Sequence, residues 1–335
     1  MSTFFALSLC LSACTRVTTD PVSTSDPTSS TSTDPSTSTT PSTSPTGDTA
    51  STATTTVDVD CSVLPPMPVP YDVLTGFTRG EDFDFNGQGQ HVSVRGNDLV
   101  GIDETGAVQI LSPNLGLQTA GTRVLVDGDY VVASSSTGGL IRIDGATGGQ
   151  QVLNTNMSYP NGVEVDDQGR AYVADNNRGL VRMIDVATGA NGVIATGLVQ
   201  PNGVILSPDE QTLYVGSFGG GVVYAIDRLG DLDWDTPREL YRVSGPDGGF
   251  DGINVDHCGN VYITEYTTGR VFRVTPDGAR AELVVDLPSG WIPNIRWGND
   301  LGPWRRDRLY VADRDQARLF VLDVGIPGKK HILMP

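Results

Sequence analysis

From about residue 81 onward, short runs of apolar, β-branched and aromatic residues alternate with Gly, Asp and Asn breaks. The copy that begins at Pro160 reads PNGVEVDDQGRAYVADNNRGLVRMID. Its apolar positions alternate at Val163 and Val165 and resume at Tyr172 and Val173, which is strand chemistry. The pattern predicts strands over 162–166, 170–175, 179–185 and 192–196, and no segment sustains a helical period. Related copies start at Pro201 (PNGVILSPDEQTLYVGSFGGGVVYAID) and Phe250 (FDGINVDHCGNVYITEYTTGRVFRV). A polar residue returns at one phase of the pattern, at Glu81, Thr122, Asn161, Asn202, Asp251 and Asn294. A period of roughly forty residues with several strands per repeat is the mark of propeller blades. An all-β, six-bladed β-propeller of four-stranded blades is therefore expected over residues 61–335. The first strand of every blade borders the central channel, so these six residues are expected to form a ring around one axis.

A propeller must close, because an open ring leaves an unpaired strand edge. The YDVLTG segment at 71–76 stands as far before Glu81 as GVIATG at 192–197 stands before Asn202, so it reads as an outer strand lent to the last blade. HILM at 331–334 fits the same slot, and the pattern leaves both open.

The N-terminal end has a different character. Residues 1–14, MSTFFALSLCLSAC, carry an apolar stretch too short to span a bilayer as a helix, followed by Leu11-Ser12-Ala13-Cys14. This has the form of a lipoprotein signal with lipidation at Cys14, although no Lys or Arg precedes Arg16. Thr15 after the cysteine favours outer-membrane retention. Residues 15–60 are almost wholly Ser, Thr, Pro and Asp, too poor in apolar surface to offset the entropy of ordering, and are expected to be a disordered tether. The predicted location is extracytoplasmic, lipid-anchored to the bacterial outer membrane or cell surface, with simple secretion as the alternative.

Charge narrows the partners. Asp and Glu number 40 against 22 Lys and Arg, a net charge of −18. Nucleic acid is excluded as a partner, since polyanion binding needs clustered cations. Acidity suits solubility outside the cell and cation binding. No membrane contact beyond the lipid anchor is expected, and the domain reads as a monomer. With Cys10 and Cys14 in the signal, Cys61 and Cys258 remain as one pair in a compartment that permits disulfides. Cys258 lies in the turn between the first two strands of its blade, and Cys61 precedes the strand expected to climb from the same face. A Cys61–Cys258 disulfide is predicted.

The ring carries the candidate chemistry. Glu81, Asn161, Asn202 and Asp251 supply two carboxylates and two amide carbonyls, a hard all-oxygen set suited to Ca²⁺. Gly162, Gly203 and Gly252 follow, letting the backbone bend toward the axis. Asn-Gly and Asp-Gly are also ordinary turn dipeptides. There is no GxSxG nucleophile elbow, and His91, His257 and His331 fall away from the channel pattern. A second set at the ends of the second strands, Arg95, Ser135, Asp175, Ser217, Glu265 and Asp313, serves either to shape substrate selection or to cap strands.

The PNG…SPDEQTLYVGS run, the FDGINVD…GNVYITEY…GRVFRVTPDG run and the early Gly80-Glu81 together resemble the family of senescence marker protein (regucalcin), gluconolactonase and luciferin-regenerating enzyme. The similarity covers about residues 73–324 and is strongest over 160–278. The resemblance implies one divalent metal in the channel, Ca²⁺ with Zn²⁺ or Mn²⁺ as alternatives, and in several members lactone hydrolysis. It implies that Glu81, Asn202 and Asp251 bind metal, that Asp251 is also the general base, and that Asn161 contacts substrate or metal-bound water. Sugar-lactone members place an arginine two residues before the position of Asn161, where this chain has Tyr159. Tyr159, Asn161 and Asn294 are the expected substrate contacts, and Trp291 and Trp297 flank Asn294 either as an aromatic wall or as packing. The expected function is a tethered, metal-dependent hydrolase of a lactone or related ester. The alternative is a non-catalytic propeller that binds a ligand or partner protein around a structural metal.

Overall fold

The structure, a computed structural model, describes residues 59–334 except 64, 154–155 and 244–248. The signal, Cys14 and all but the last two residues of the tether lie outside the described residues. Among the described residues, twenty-four strands form six sheets, each of four antiparallel strands, arranged as the blades of a propeller. Blade three comprises Pro160–Val165, Arg170–Asp175, Leu180–Asp185 and Asn191–Thr196, within two residues of the sequence expectation. Among the described residues the one helical turn is Asn176–Arg178.

The core is not central. Six apolar clusters lie one between each pair of adjacent blades. In strand Tyr130–Ser134, Tyr130 and Val132 pack toward blade one while Val131 and Ala133 pack toward blade three. Successive side chains point to opposite faces, so a middle strand with two buried faces is apolar at nearly every position. Trp297 belongs to this packing, with its indole N–H donated to Ile326 O at 3.2 Å.

The N-terminal strand closes the ring. Tyr71–Thr75 pairs antiparallel with Arg318–Leu322, Tyr71 opposite Leu322 and Thr75 opposite Arg318. The second candidate, HILM, forms no strand. The C-terminal segment instead runs across the lower opening of the channel. His257 N–H donates to Pro327 O (2.8 Å) and Lys329 N–H to Val255 O (3.2 Å). The Lys329 ammonium meets Glu164 and Leu206 O, and His331 Nε2 lies 3.2 Å from Asp84 Oδ1.

Cys61 and Cys258 form the predicted disulfide, with a Cα–Cα distance of 5.5 Å. The bridge joins residues 197 apart in sequence, so it restricts a long stretch of the unfolded chain. Replacing both cysteines by serine is expected to lower unfolding free energy by about 2–4 kcal/mol, measured by denaturant titration.

His91 carries a second stability prediction. Its ring is enclosed by Phe77, Phe83, Phe85 and Trp304, and burial pushes the imidazole down to about 3. The unfolded chain takes up a proton near pH ~6.5 that the folded chain refuses until far lower pH. His91 therefore holds its full contribution above about pH 6.5 and loses it as pH falls. Between neutrality and about pH 5 the expected loss from this residue is about 2 kcal/mol. His91→Phe should flatten that part of the urea-unfolding profile.

Candidate functional site

The ring side chains are aimed by a local irregularity repeated in four blades. In blade three Pro160 pairs with Asp175 and Val163 with Val173, so the inner strand carries one extra residue. The same shift separates Pro201 from Val204, Phe250 from Ile253, and Thr119 from Thr122. A bulge of this kind re-aims one side chain, and the re-aimed ones are Asn161, Asn202 and Asp251.

The glycines that follow do different work from that expected. None of Gly162, Gly203 and Gly252 has positive φ. They are required because the next blade lies against them: an added Cβ would stand 2.2 Å from Asn202 O at Gly162, 2.3 Å from Asp251 O at Gly203 and 2.4 Å from Asn294 Cα at Gly252. Gly121 makes the same approach to Asn161 O (2.5 Å). Blade two is thereby corrected: its ring position is Ala120, and Thr122 pairs where Val163 does. Thr122 faces away from the channel lining, its backbone N–H donated to Asp82 Oδ2 at 3.0 Å.

Glu81, Asn161, Asn202 and Asp251 come together as the lining of two adjoining spaces: a narrow one inside the channel and an open mouth of about 430 Å³ above it. Asn161, Asn202 and Asp251 are buried, and no hydrogen bond from the described protein satisfies their side chains. Glu81 is half enclosed, and its carboxylate is paired with Arg314. Burial pushes the Asp251 carboxyl well above the usual range, and the nearby Glu81 and Asp82 push it further. Burial also raises Glu81, with Arg314 opposing. No thiol or imidazole lines either space. Among the described residues no cluster of three or more His, Cys, Asp or Glu is placed to hold a metal. Any cation here would rely on amide oxygens together with two carboxylates.

Tyr159 lines the mouth; its backbone N–H and that of Ser158 are each 3.0 Å from the Asp175 carboxylate. Asn294 lies deeper, in the channel lining, and its Oδ1 accepts the Ile295 N–H at 2.7 Å. Trp291 is at the upper surface, 49% exposed, its ring parallel to Tyr266 at 6.5 Å.

The second set divides sharply. Asp175, Ser217, Glu265 and Asp313 are fully buried strand caps that tie down loops, as Asp313 does with Arg318 and Ser289. In blade two the matching cap is Ser134, which pairs with Thr119 as Asp175 pairs with Pro160. The residues one position later stand at the upper face: Asn176, Phe218 and Tyr266 line the mouth, and Arg314 lines a neighbouring space that shares Glu81 with it. Each donates its backbone N–H to the loop before a ring residue, at Tyr159, Gln200, Gly249 and Trp291 respectively. By the same bond to Gln118, Ser135 holds the equivalent position in blade two. Sequence reasoning missed Arg314, Tyr266 and Phe218, although a one-residue shift in phase would have found them.

Beneath the ring, Asp82 and Arg123 form a fully buried ion pair at 2.5 Å, and Arg123 Nε stands 3.4 Å from Glu164. These too were missed.

The resemblance read from the sequence is borne out: residues 187–313 match the family model described as the SMP-30/Gluconolactonase/LRE-like region. Among solved structures, a gluconolactonase from Xanthomonas campestris is 23% identical, with 77% of this chain and 90% of that chain covered and a TM-score of 0.63. A calcium-binding regucalcin from Agrobacterium tumefaciens is 18% identical, with 78% and 96% covered and a TM-score of 0.61. A luciferin-regenerating enzyme is 14% identical, with 78% and 99% covered and a TM-score of 0.62. At these identities the likeness is one of fold. No curated protein matches the chain in sequence.

Proposed function

We propose that the upper end of the channel is the active site of a Ca²⁺-dependent hydrolase of lactones or related esters, held at the cell envelope by the N-terminal lipid and tether. One observation carries this reading: three buried polar side chains, Asn161, Asn202 and Asp251, have no protein partner and line one space with Glu81. Amide oxygens that line an open space without a protein partner can turn to a ligand there, and a carboxylate pushed up by burial and like charge is relieved by a cation. An oxygen-only donor set with two carboxylates fits Ca²⁺ better than a metal that prefers sulfur or nitrogen.

Glu81, Asn161, Asn202 and Asp251 would hold the cation. When bound, it would supply Lewis acidity toward the substrate carbonyl and acidify water. Asp251 accepts the proton of the attacking water as the water oxygen bonds to the carbonyl carbon. The carbon–oxygen bond of the ester then breaks, and the leaving alkoxide takes the proton back. Asn161 orients water or the substrate oxygen, and Tyr159 with Phe218 and Tyr266 borders the leaving side.

A panel of para-nitrophenyl esters and aromatic and aliphatic lactones, run with Ca²⁺ and with chelator, tests the reading. Calcium-dependent turnover of at least one member is expected. Calcium binding without turnover of any member would favour the non-catalytic propeller.

A further inference from the structure

Beside the mouth, in a neighbouring space that shares Glu81 with it, stands one feature that the hydrolase reading leaves unused. Arg314 follows the strand Leu309–Asp313, is anchored by its backbone N–H on Trp291 O at 3.0 Å, and extends its guanidinium to Glu81. The Tyr266 hydroxyl is beside the same guanidinium. Arg123, the cation that lines the channel below, is engaged with Asp82, Glu164 and Thr122 O, whereas the Arg314 side chain remains 40% exposed.

Building on the metal-dependent reading, we propose that Arg314 is a specificity residue that recognises an anionic group, so the preferred substrates are lactones or esters bearing a carboxylate. Charge balance supports this. Without a cation, Arg314 is held by the Glu81 carboxylate. A bound dication would add positive charge beside Glu81 and compete with Arg314 for it, since a carboxylate oxygen shared between the two is weakened toward each. Loading therefore frees a planar, two-pronged donor suited to a carboxylate. One side of the mouth carries aromatic rings among its amides Asn176, Asn177 and Gln200: Phe218 and Tyr266 rings lie 5.8 Å apart, and Tyr266 stacks on Trp291. Tyr159 completes this lining. These rings offer a face to an apolar acyl or aryl body. The substrate would then lie with its body on the rings, its carboxylate at Arg314 and its reacting carbonyl near Asp251.

The test compares wild type, Arg314→Gln and Arg314→Lys on the folded protein by two titrations. Calorimetry measures Ca²⁺ binding, and tryptophan fluorescence, with Trp291 as reporter, measures binding of phenylacetate and phenylacetamide with Ca²⁺ or chelator. In the wild type with Ca²⁺, phenylacetate should bind about fivefold or more tighter than phenylacetamide, and chelator should abolish that preference. Arg314→Gln should abolish it as well, while binding Ca²⁺ about fivefold tighter than the wild type because a competing cation is gone. Arg314→Lys should keep part of the preference. Normal Ca²⁺ binding in all three proteins with an unchanged preference in Arg314→Gln would overturn this inference alone. Failure of the wild type to bind Ca²⁺ would overturn the metal-dependent reading and this inference with it.

Discussion

Asp251→Asn is expected to lower Ca²⁺-dependent turnover by about two to four orders of magnitude and yet to make the cation-free protein more stable. The two effects share one cause. Asp251 is buried, no protein donor satisfies its carboxylate, and Glu81 and Asp82 repel its charge. Its folded-state proton affinity is raised, so ionisation at neutral pH opposes folding, and that penalty fades as pH falls toward the ordinary carboxylate range. The amide has the same shape without the charge. Relief of about 1–2 kcal/mol is expected in the cation-free variant at neutral pH, within the range for stabilising changes at functional sites. Calcium should then stabilise the wild type by mass action and leave the variant nearly unmoved. Melting curves of both proteins with Ca²⁺ and with chelator, beside their turnover, check all four combinations. A variant less stable than the wild type in chelator would show that Asp251 is a structural carboxylate.

The second large effect lies beneath the ring. Asp82→Ala is expected to cost about 3–5 kcal/mol, whereas Asp82→Asn should cost much less. Asp82 accepts from Arg123 Nη1 (2.5 Å), from Thr122 N–H (3.0 Å) and from Phe83 N–H (2.7 Å), so it ties blade one to blade two. Despite the arginine, burial pushes its carboxyl up to about 6. The attraction of Arg123 thus falls short of the desolvation of the carboxylate, and the acid gains little from being charged. What Asp82→Ala removes is the acceptor: Arg123 and two buried N–H groups lose a partner, and unmet buried donors are expensive. Asparagine retains an oxygen for Thr122 N–H and Arg123 and gives up only the acceptor of Phe83 N–H, while Glu164 still faces the guanidinium. Chemical denaturation of the two variants separates these contributions; equal losses would show that the charge itself holds the blades together.

Which parts of this arrangement the sequence disclosed follows from what each signal depends on. Asn161, Asn202 and Asp251 stood out because each keeps a glycine after it, and the structure explains the glycine by the carbonyl or Cα of the next blade pressed against it. The same contact exists at Gly121, but there Ala120 carries no polar atom. The polar Thr122 two positions on was mistaken for the ring residue, because an extra residue in a strand leaves no mark in hydrophobic periodicity. The alternation read from Val163 and Val165 held only in part, because blade strands bury both faces. Closure by the segment at 71–76 was legible from its spacing to Glu81. The course of the C-terminal segment was not, because its contacts, Lys329 with Glu164 and His331 with Asp84, span residues far apart in sequence. Arg314 was hidden for a similar reason: it follows a strand cap that had drawn attention to itself, and its partner Glu81 is at the other end of the chain.

The central claim is that the channel ring binds a divalent cation, and calorimetric titration of Ca²⁺ into the wild-type protein, with Asn202→Ala alongside, addresses it most directly. One ion per chain, bound by the wild type and lost or strongly weakened in Asn202→Ala, is the predicted result. Absence of binding, or equal binding by both proteins, would contradict the account and leave the ring as a set of buried residues without a cation.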